Sequence, residues 1–192
     1  MPRIETKTLA QHRDWRRNQL IEAAAAIALE SGGTAVTVSA VATRAGMSRT
    51  SVYEYFGSSA DLVADLIIEE LENFSDILIQ EIGQSSDPTE CIKLWIRGAL
   101  HYIADGRHLL AKALNATSLP QDRAGQIASA HRALLAPLRN ALLKAGVKDI
   151  SQALAYIQAI TDVATKRIEA DHDAEIEINT ATSFCINGLA SF

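Results

Sequence analysis

An all-α chain in two parts, a small three-helix head followed by a larger helical body, is the fold class this sequence predicts. Three observations carry that expectation. Apolar residues recur at helical spacing nearly throughout, no segment alternates as a strand would, and only 4 Pro and 10 Gly interrupt 192 residues.

The elements follow in chain order. In residues 14–30, Leu20, Ala24, Ile27 and Ala28 share one face, and Ser31-Gly32-Gly33 stops the helix. Thr37 is suited to cap a short helix over 38–45. Gly46-Met47 turns the chain, and Ser48 caps a second short helix over 49–55. Gly57-Ser58 breaks it again, and Ser58 opens a long helix reaching residue 82, with Leu62, Leu66, Leu71, Phe74 and Leu78 mostly inward. After the break Gly83-Gln84-Ser85-Ser86-Asp87-Pro88, helices are expected over 89–104, 106–116 and 122–145. Pro137 is expected to kink the last of these, and Gly146 to end it. Two more helices, 149–170 and 174–189, flank the charged turn Asp171-His172-Asp173.

Composition suits a folded globular protein: 48% of residues are hydrophobic and 21% charged. The length allows one domain or two small ones, and the expected division is a head over 1–57 and a body over 58–192. Net charge is −5 and unevenly spread. Residues 1–60 hold seven Lys/Arg (Arg3, Lys7, Arg13, Arg16, Arg17, Arg44, Arg49) against five acids, while residues 61–192 hold eleven against eighteen. A basic head on an acidic body suits a head that approaches phosphate, although an excess of two charges also arises by chance. The N-terminus lacks the apolar core of a signal peptide, and no window nears the roughly 18 uninterrupted apolar residues of a membrane span. Cys91 and Cys185 lie within apolar helical patterns. Reduced, buried thiols and a cytoplasmic location are expected.

Two short helices joined by a tight glycine turn have the helix-turn-helix spacing. Val41, Ala42, Ala45, Met47, Val52 and Phe56 can form its interior, leaving Arg49, Thr50, Ser51 and Tyr53 near the exposed start of the second helix. That turn of a recognition helix is the one that enters a major groove. Arg49 can pair with guanine O6 and N7, and the Thr50 methyl can meet a thymine methyl. Hydroxyls and helix-terminal amides suit phosphate oxygens. A compact helical corner with a solvated face is the other reading, because the same geometry occurs in proteins that never meet nucleic acid.

The segment TVSAVATRAGMSRTSVYEYF followed by GSSADLVADL, with the long helix before it, resembles the N-terminal domain of TetR-family (tetracycline-repressor-like) transcriptional regulators over residues 14–66. The resemblance implies a homodimer reading a palindromic double-stranded operator, repression as the default, and release by a small-molecule effector. Carried over by motif position, Ser39, Arg49, Thr50 and Ser51 would face bases. Thr37, Arg44, Tyr53, Tyr55 and Ser59 would touch phosphates. Two departures stand out: Ser59 occupies a position where the family often has Lys, and Glu54 adds a negative charge to the recognition helix. Arg13, Arg16, Arg17 and Arg44 would then have to compensate, or Arg16-Arg17 is simply a solvated helix start.

The body is far larger than a DNA-reading head requires. In the resemblance it binds ligand and dimerises, and the helix from Ser58 to Ile82 links the two parts. Trp95, Tyr102, His108 and Asn115, with His101 nearby, are candidate pocket residues among apolar neighbours, suited to a hydrophobic effector; they are equally ordinary core aromatics and solvated polar groups. On the last two helices Leu154, Ile157, Ile160, Ile168, Phe184 and Leu189 offer more apolar surface than a terminal hairpin needs. A four-helix bundle across a two-fold axis would cover it, and so would burial against helix 122–145.

No phosphate loop, GxSxG elbow or HExxH is visible, and no enzyme activity or cofactor is expected. The cluster Glu169, Asp171, His172, Asp173 and Glu175 reads as a solvated turn rather than a metal site. A different class of function remains beside the regulator: a small-molecule-binding or scaffold protein whose head has weak or lost DNA affinity.

Overall fold

The computed structural model describes residues 6–114 and 120–189, with backbone alone for residues 6–9. The described residues form nine α-helices: α1 (Thr6–Ser31), α2 (Val38–Arg44), α3 (Arg49–Tyr53), α4 (Ser59–Ile82), α5 (Pro88–Ala104), α6 (Leu109–Leu114), α7 (Ala124–Lys144), α8 (Ile150–Ile168) and α9 (Ala174–Leu189). Short 3-10 turns stand at Gly33–Ala35 and Gln121–Arg123. The chain is therefore all-α over its described length, with a helix-turn-helix near its N-terminus.

Most boundaries follow the capping chemistry. Asp87 accepts from the Thr89 amide at 3.0 Å, and Pro88, which lacks an amide hydrogen, opens α5. Gly106, at φ 73°, closes that helix, with the Arg107 amide reaching back to the Tyr102 carbonyl at 3.2 Å. Gly106 thus belongs to the turn, and α6 starts later than expected, at Leu109. The opposite holds for α1, which begins at Thr6 rather than at residue 14. Helix α7 continues through Pro137, whose ring nitrogen leaves the Ala133 carbonyl without its usual donor.

Packing divides the chain into two compact units. The first unites the described residues up to Glu70 with the segment from Leu109 to Ile127. Leu20, Ala24, Ile27 and Ala28 of α1 are buried against Val41, Ala42, Val52 and Phe56. Leu62, Val63 and Leu66 of α4 and Leu114 of α6 complete this core. The first turns of α4 belong to this unit because Leu62, Val63 and Leu66 are apolar on the side that closes its core.

Asp65 adds a polar tie within this unit. It accepts from Arg17 at 2.8 Å and also pairs with Arg123. The Arg17 guanidinium lies 5.7 Å from the Phe56 ring centroid, so one carboxylate joins α1, α4 and the 3-10 turn before α7.

The second unit runs from Leu71 to His108 and from Ala128 onward. Its core joins Leu78, Ile92, Trp95, Ile96 and Leu100 to Leu138, Leu142, Ile157 and Ile178. The α4–α5 crossing is close: a Cβ on Gly98 would stand 3.1 Å from Leu78 Cδ2 and 3.2 Å from Glu81 Cγ. Helix α9 packs on α5 and α8. Ile157 of α8 shares this core with Leu138 and Leu142 of α7, the helix expected over 122–145.

Candidate nucleic-acid interface and body sites

The corner formed by α2 and α3 is built by its caps. Thr37 Oγ1 accepts from the Ala40 amide at 3.1 Å, and Ser48 Oγ from the Ser51 amide at 3.0 Å. Between them Gly46 takes φ 66°, a left-handed conformation that costs a side-chain-bearing residue about 1 kcal/mol or more. The Met47 amide then closes α2 on the Ala42 carbonyl at 2.9 Å. Val52 and Phe56 are buried, which fixes the rotation of α3. Arg49, Thr50 and Tyr53 consequently point to solvent, and Ser51 is half-buried.

Several polar side chains on this face are already engaged. Arg49 Nη2 donates to Ser39 Oγ at 2.6 Å, so two of the four expected base-facing residues, one on α2 and one on α3, are joined. Ser59 Oγ accepts from the Val38 amide at 3.0 Å, satisfying an otherwise unpaired amide at the start of α2. As a hydroxyl it keeps one hydrogen to donate. Tyr55 is half-buried, with the Arg13 guanidinium 5.9 Å from its ring centroid. Arg44 makes a fork with Glu30, both nitrogens at 2.6 Å. That hydrogen-bonded contact raises the Arg44 pKa and lowers that of Glu30. Of the four arginines expected to supply phosphate contacts, Arg17 and Arg44 therefore carry carboxylate partners. Glu54 is exposed.

In the body, Trp95 is buried and donates its indole N–H to the Leu134 carbonyl at 3.3 Å. It lines a cavity of about 180 Å³ with Phe74, Leu100, Leu138, Leu154 and Ile157. Polar side chains also line it: His131, Gln158 and Asp162. Tyr102 is buried and stacked on Phe74 with centroids 4.1 Å apart. His108 Nε2 meets Glu169 at 2.9 Å, and its Nδ1 is buried without a partner. Asn115 lies outside the described residues. Of the described members of the expected pocket set, Trp95 lines this cavity and Tyr102 and His108 do not. Phe74 was expected only as an inward residue of α4 and Leu154 at the dimer interface; a void lined from four helices is set by their packing.

A larger apolar groove, of about 840 Å³, lies between α8 and α9. Ile157, Ile160, Phe184 and Leu189 of the expected interface line it. Leu154 lines the cavity instead, and Ile168 is half-buried in the core. Ile157 is 3% exposed and belongs to the protomer's own core. The exposed apolar groups are Tyr156, Val163, Ile176 and Phe184, between 54% and 67% accessible, and of these Tyr156 and Val163 were missed. Their spacing on α8 was the available signal.

The acidic cluster is spent on structure. Asp173 accepts from the Ile176 amide at 3.0 Å and starts α9, while Asp171 turns the chain at φ 62°. Glu169 meets His108, and Glu175 lies 3.7 Å from Arg97. Both cysteines are free thiols, Cys185 buried and Cys91 half-buried; burial pushes the Cys185 thiol up to about 11.

Fold and face together define a helix-turn-helix head carried in one chain with an all-helical body. Residues 20–66, which span the helix-turn-helix, match the family model of bacterial regulatory proteins, tetR family. Three solved structures share its fold. A transcriptional regulator FadR from Bacillus subtilis, in complex with stearoyl-CoA, is 22% identical, covering 88% of this chain and 97% of that one at a TM-score of 0.72. A TetR-like transcriptional regulator from Rhodococcus sp. RHA1 is 20% identical, covering 92% and 97% at 0.70. A transcriptional regulator described as putative, from Pseudomonas aeruginosa PAO1, is 17% identical, covering 93% and 91% at 0.74. No curated protein sequence matches the chain. Among the described residues, no helix is long and apolar enough to cross a membrane.

Proposed function

We propose that the protein is a cytoplasmic, ligand-responsive transcriptional repressor that binds palindromic operator DNA as a homodimer, with residues 1–57 reading DNA and 58–192 binding effector and dimerising. One observation carries the reading: α3 is anchored by buried Val52 and Phe56 while Arg49, Thr50 and Tyr53 stand exposed on its first turns. Arg49, Thr50, Ser51 and Ser39 are assigned to bases or to holding the base reader. Thr37, Arg44, Tyr53, Tyr55 and Ser59 are assigned to phosphates.

The groove between α8 and α9 supports the dimer, because water against Val163, Ile176 and Phe184 is unfavourable and a two-fold copy removes it. The cavity around Trp95 supports a mainly apolar effector, and a structural neighbour with an acyl-CoA bound is in keeping with that class. Effector binding would favour a conformer whose heads no longer match the half-site spacing. Helix α4 runs unbroken from Ser59 to Ile82 and is one covalent route between the two units, which the chain also joins at 108/109 and within α7.

Selection from a random duplex library, followed by binding of the selected sequence at two salt concentrations, tests this. A palindrome bound more weakly as salt rises is expected. No enriched sequence would refute operator binding. It would favour a small-molecule-binding protein with lost DNA affinity, a reading that draws support from the Arg44–Glu30 fork and exposed Glu54.

A further inference from the structure

Within the body, α5 and α9 enclose a second groove of about 390 Å³, polar where the one between α8 and α9 is apolar. Lys93, Arg97, Asn179, Thr182, Ser183 and Asn187 line it. Thr182 is 7% exposed, yet its Oγ1 is buried without any hydrogen-bond partner. A helical threonine can satisfy its hydroxyl on the carbonyl one turn back, as Thr161 does on Ile157 at 3.0 Å. Thr182 leaves that bond unmade.

The other groups are mostly donors. Lys93 and Arg97 stand one turn apart on α5. Lys93 is 3.5 Å from Glu90, and Arg97 is 3.7 Å from Glu175, both longer than a charge-assisted hydrogen bond. Arg97 Nη1 donates to Asn179 Oδ1, which leaves the Asn179 NH₂ as the free end of that amide. Two cations, an amide and an unsatisfied hydroxyl thus converge on a cleft whose one apolar side chain is Ile186, a donor set that matches oxyanion lone pairs.

We propose that this groove is an anion site for a small molecule bearing a phosphate or carboxylate group, held by Lys93 and Arg97 with the Thr182 hydroxyl beneath. It is separate from the Trp95 cavity and does not depend on the DNA-binding reading. The test is a titration of the purified full-length protein with inorganic phosphate and, separately, with succinate, ionic strength held constant with NaCl. Thermal midpoint and backbone amide shifts of α9 are the readouts. At least one anion is expected to raise the midpoint and move amides of residues 179–187, and the more effective anion identifies the head group. Arg97→Gln should abolish both responses. Thr182→Val should raise the midpoint of the anion-free protein, by removing the orphan hydroxyl, while weakening anion binding about ten-fold. Absence of any response to either anion overturns the site, as does an equal response in Arg97→Gln. A Thr182→Val protein of undiminished anion affinity overturns the hydroxyl's part in it.

Discussion

Glu30 receives both terminal nitrogens of the Arg44 guanidinium, each at 2.6 Å, and so ties the end of α1 to the end of α2. The same contact takes a cation away from the phosphates it was expected to meet. Releasing Arg44 with Glu30→Gln should tighten binding to duplex DNA of any sequence. It should also steepen the salt dependence by about one released counterion. Binding isotherms at several salt concentrations measure both, and unchanged slope and affinity would remove Arg44 from the phosphate contacts.

Arg49 has the opposite character, an exposed guanidinium held on Ser39 Oγ at 2.6 Å. Arg49→Ala should cost about 1–3 kcal/mol on the selected operator and much less on random DNA. Ser39→Ala should weaken operator preference to a smaller degree, because it frees the guanidinium without removing it. Equal losses on operator and random DNA for Arg49→Ala would show that it does not read bases.

Phe184 is 67% exposed in the protomer, whereas Ile157 is 3% exposed. Phe184→Asp should therefore give a folded monomer with an unchanged circular dichroism spectrum and half the sedimenting mass. Ile157→Asp should lower stability itself, by about 3 kcal/mol or more, since it buries a charge in the protomer's core. A Phe184→Asp protein that still sediments as a dimer would move the interface elsewhere.

Arg167 Nε donates to Glu177 at 2.8 Å, and this bond holds the Glu177 carboxyl below its ordinary value of 4.5. The folded state thus takes up this proton at lower pH than the unfolded chain. The stabilisation is complete above 4.5 and is lost as pH falls through the lower folded value. Between about pH 6 and pH 3 the wild-type denaturant midpoint should fall further than that of Glu177→Gln. Parallel curves would show that Arg167 does not stabilise the ionised carboxylate.

The sequence by itself determined the helices, most of their ends and the corner between α2 and α3. These are local matters: Thr37 and Ser48 sit within a turn of the amides they cap, and apolar spacing marks a helix face without reference to any other helix. Val52 and Phe56 could be placed inside, and Arg49 outside, for the same reason. What those outward groups touch was decided by contacts distant in sequence. Glu30 meets Arg44, Ser59 caps α2 across 21 residues, and Asp65 gathers Arg17 and Arg123. No periodicity encodes such pairs, because side-chain partners depend on where separate elements come to rest. The same holds for voids. The Trp95 cavity, the polar groove beneath Lys93 and Arg97 and the exposed face at Val163 and Ile176 are gaps and surfaces left over by packing. A helix face announces that it is apolar; only the assembled fold decides whether a neighbour, a cavity or water lies against it.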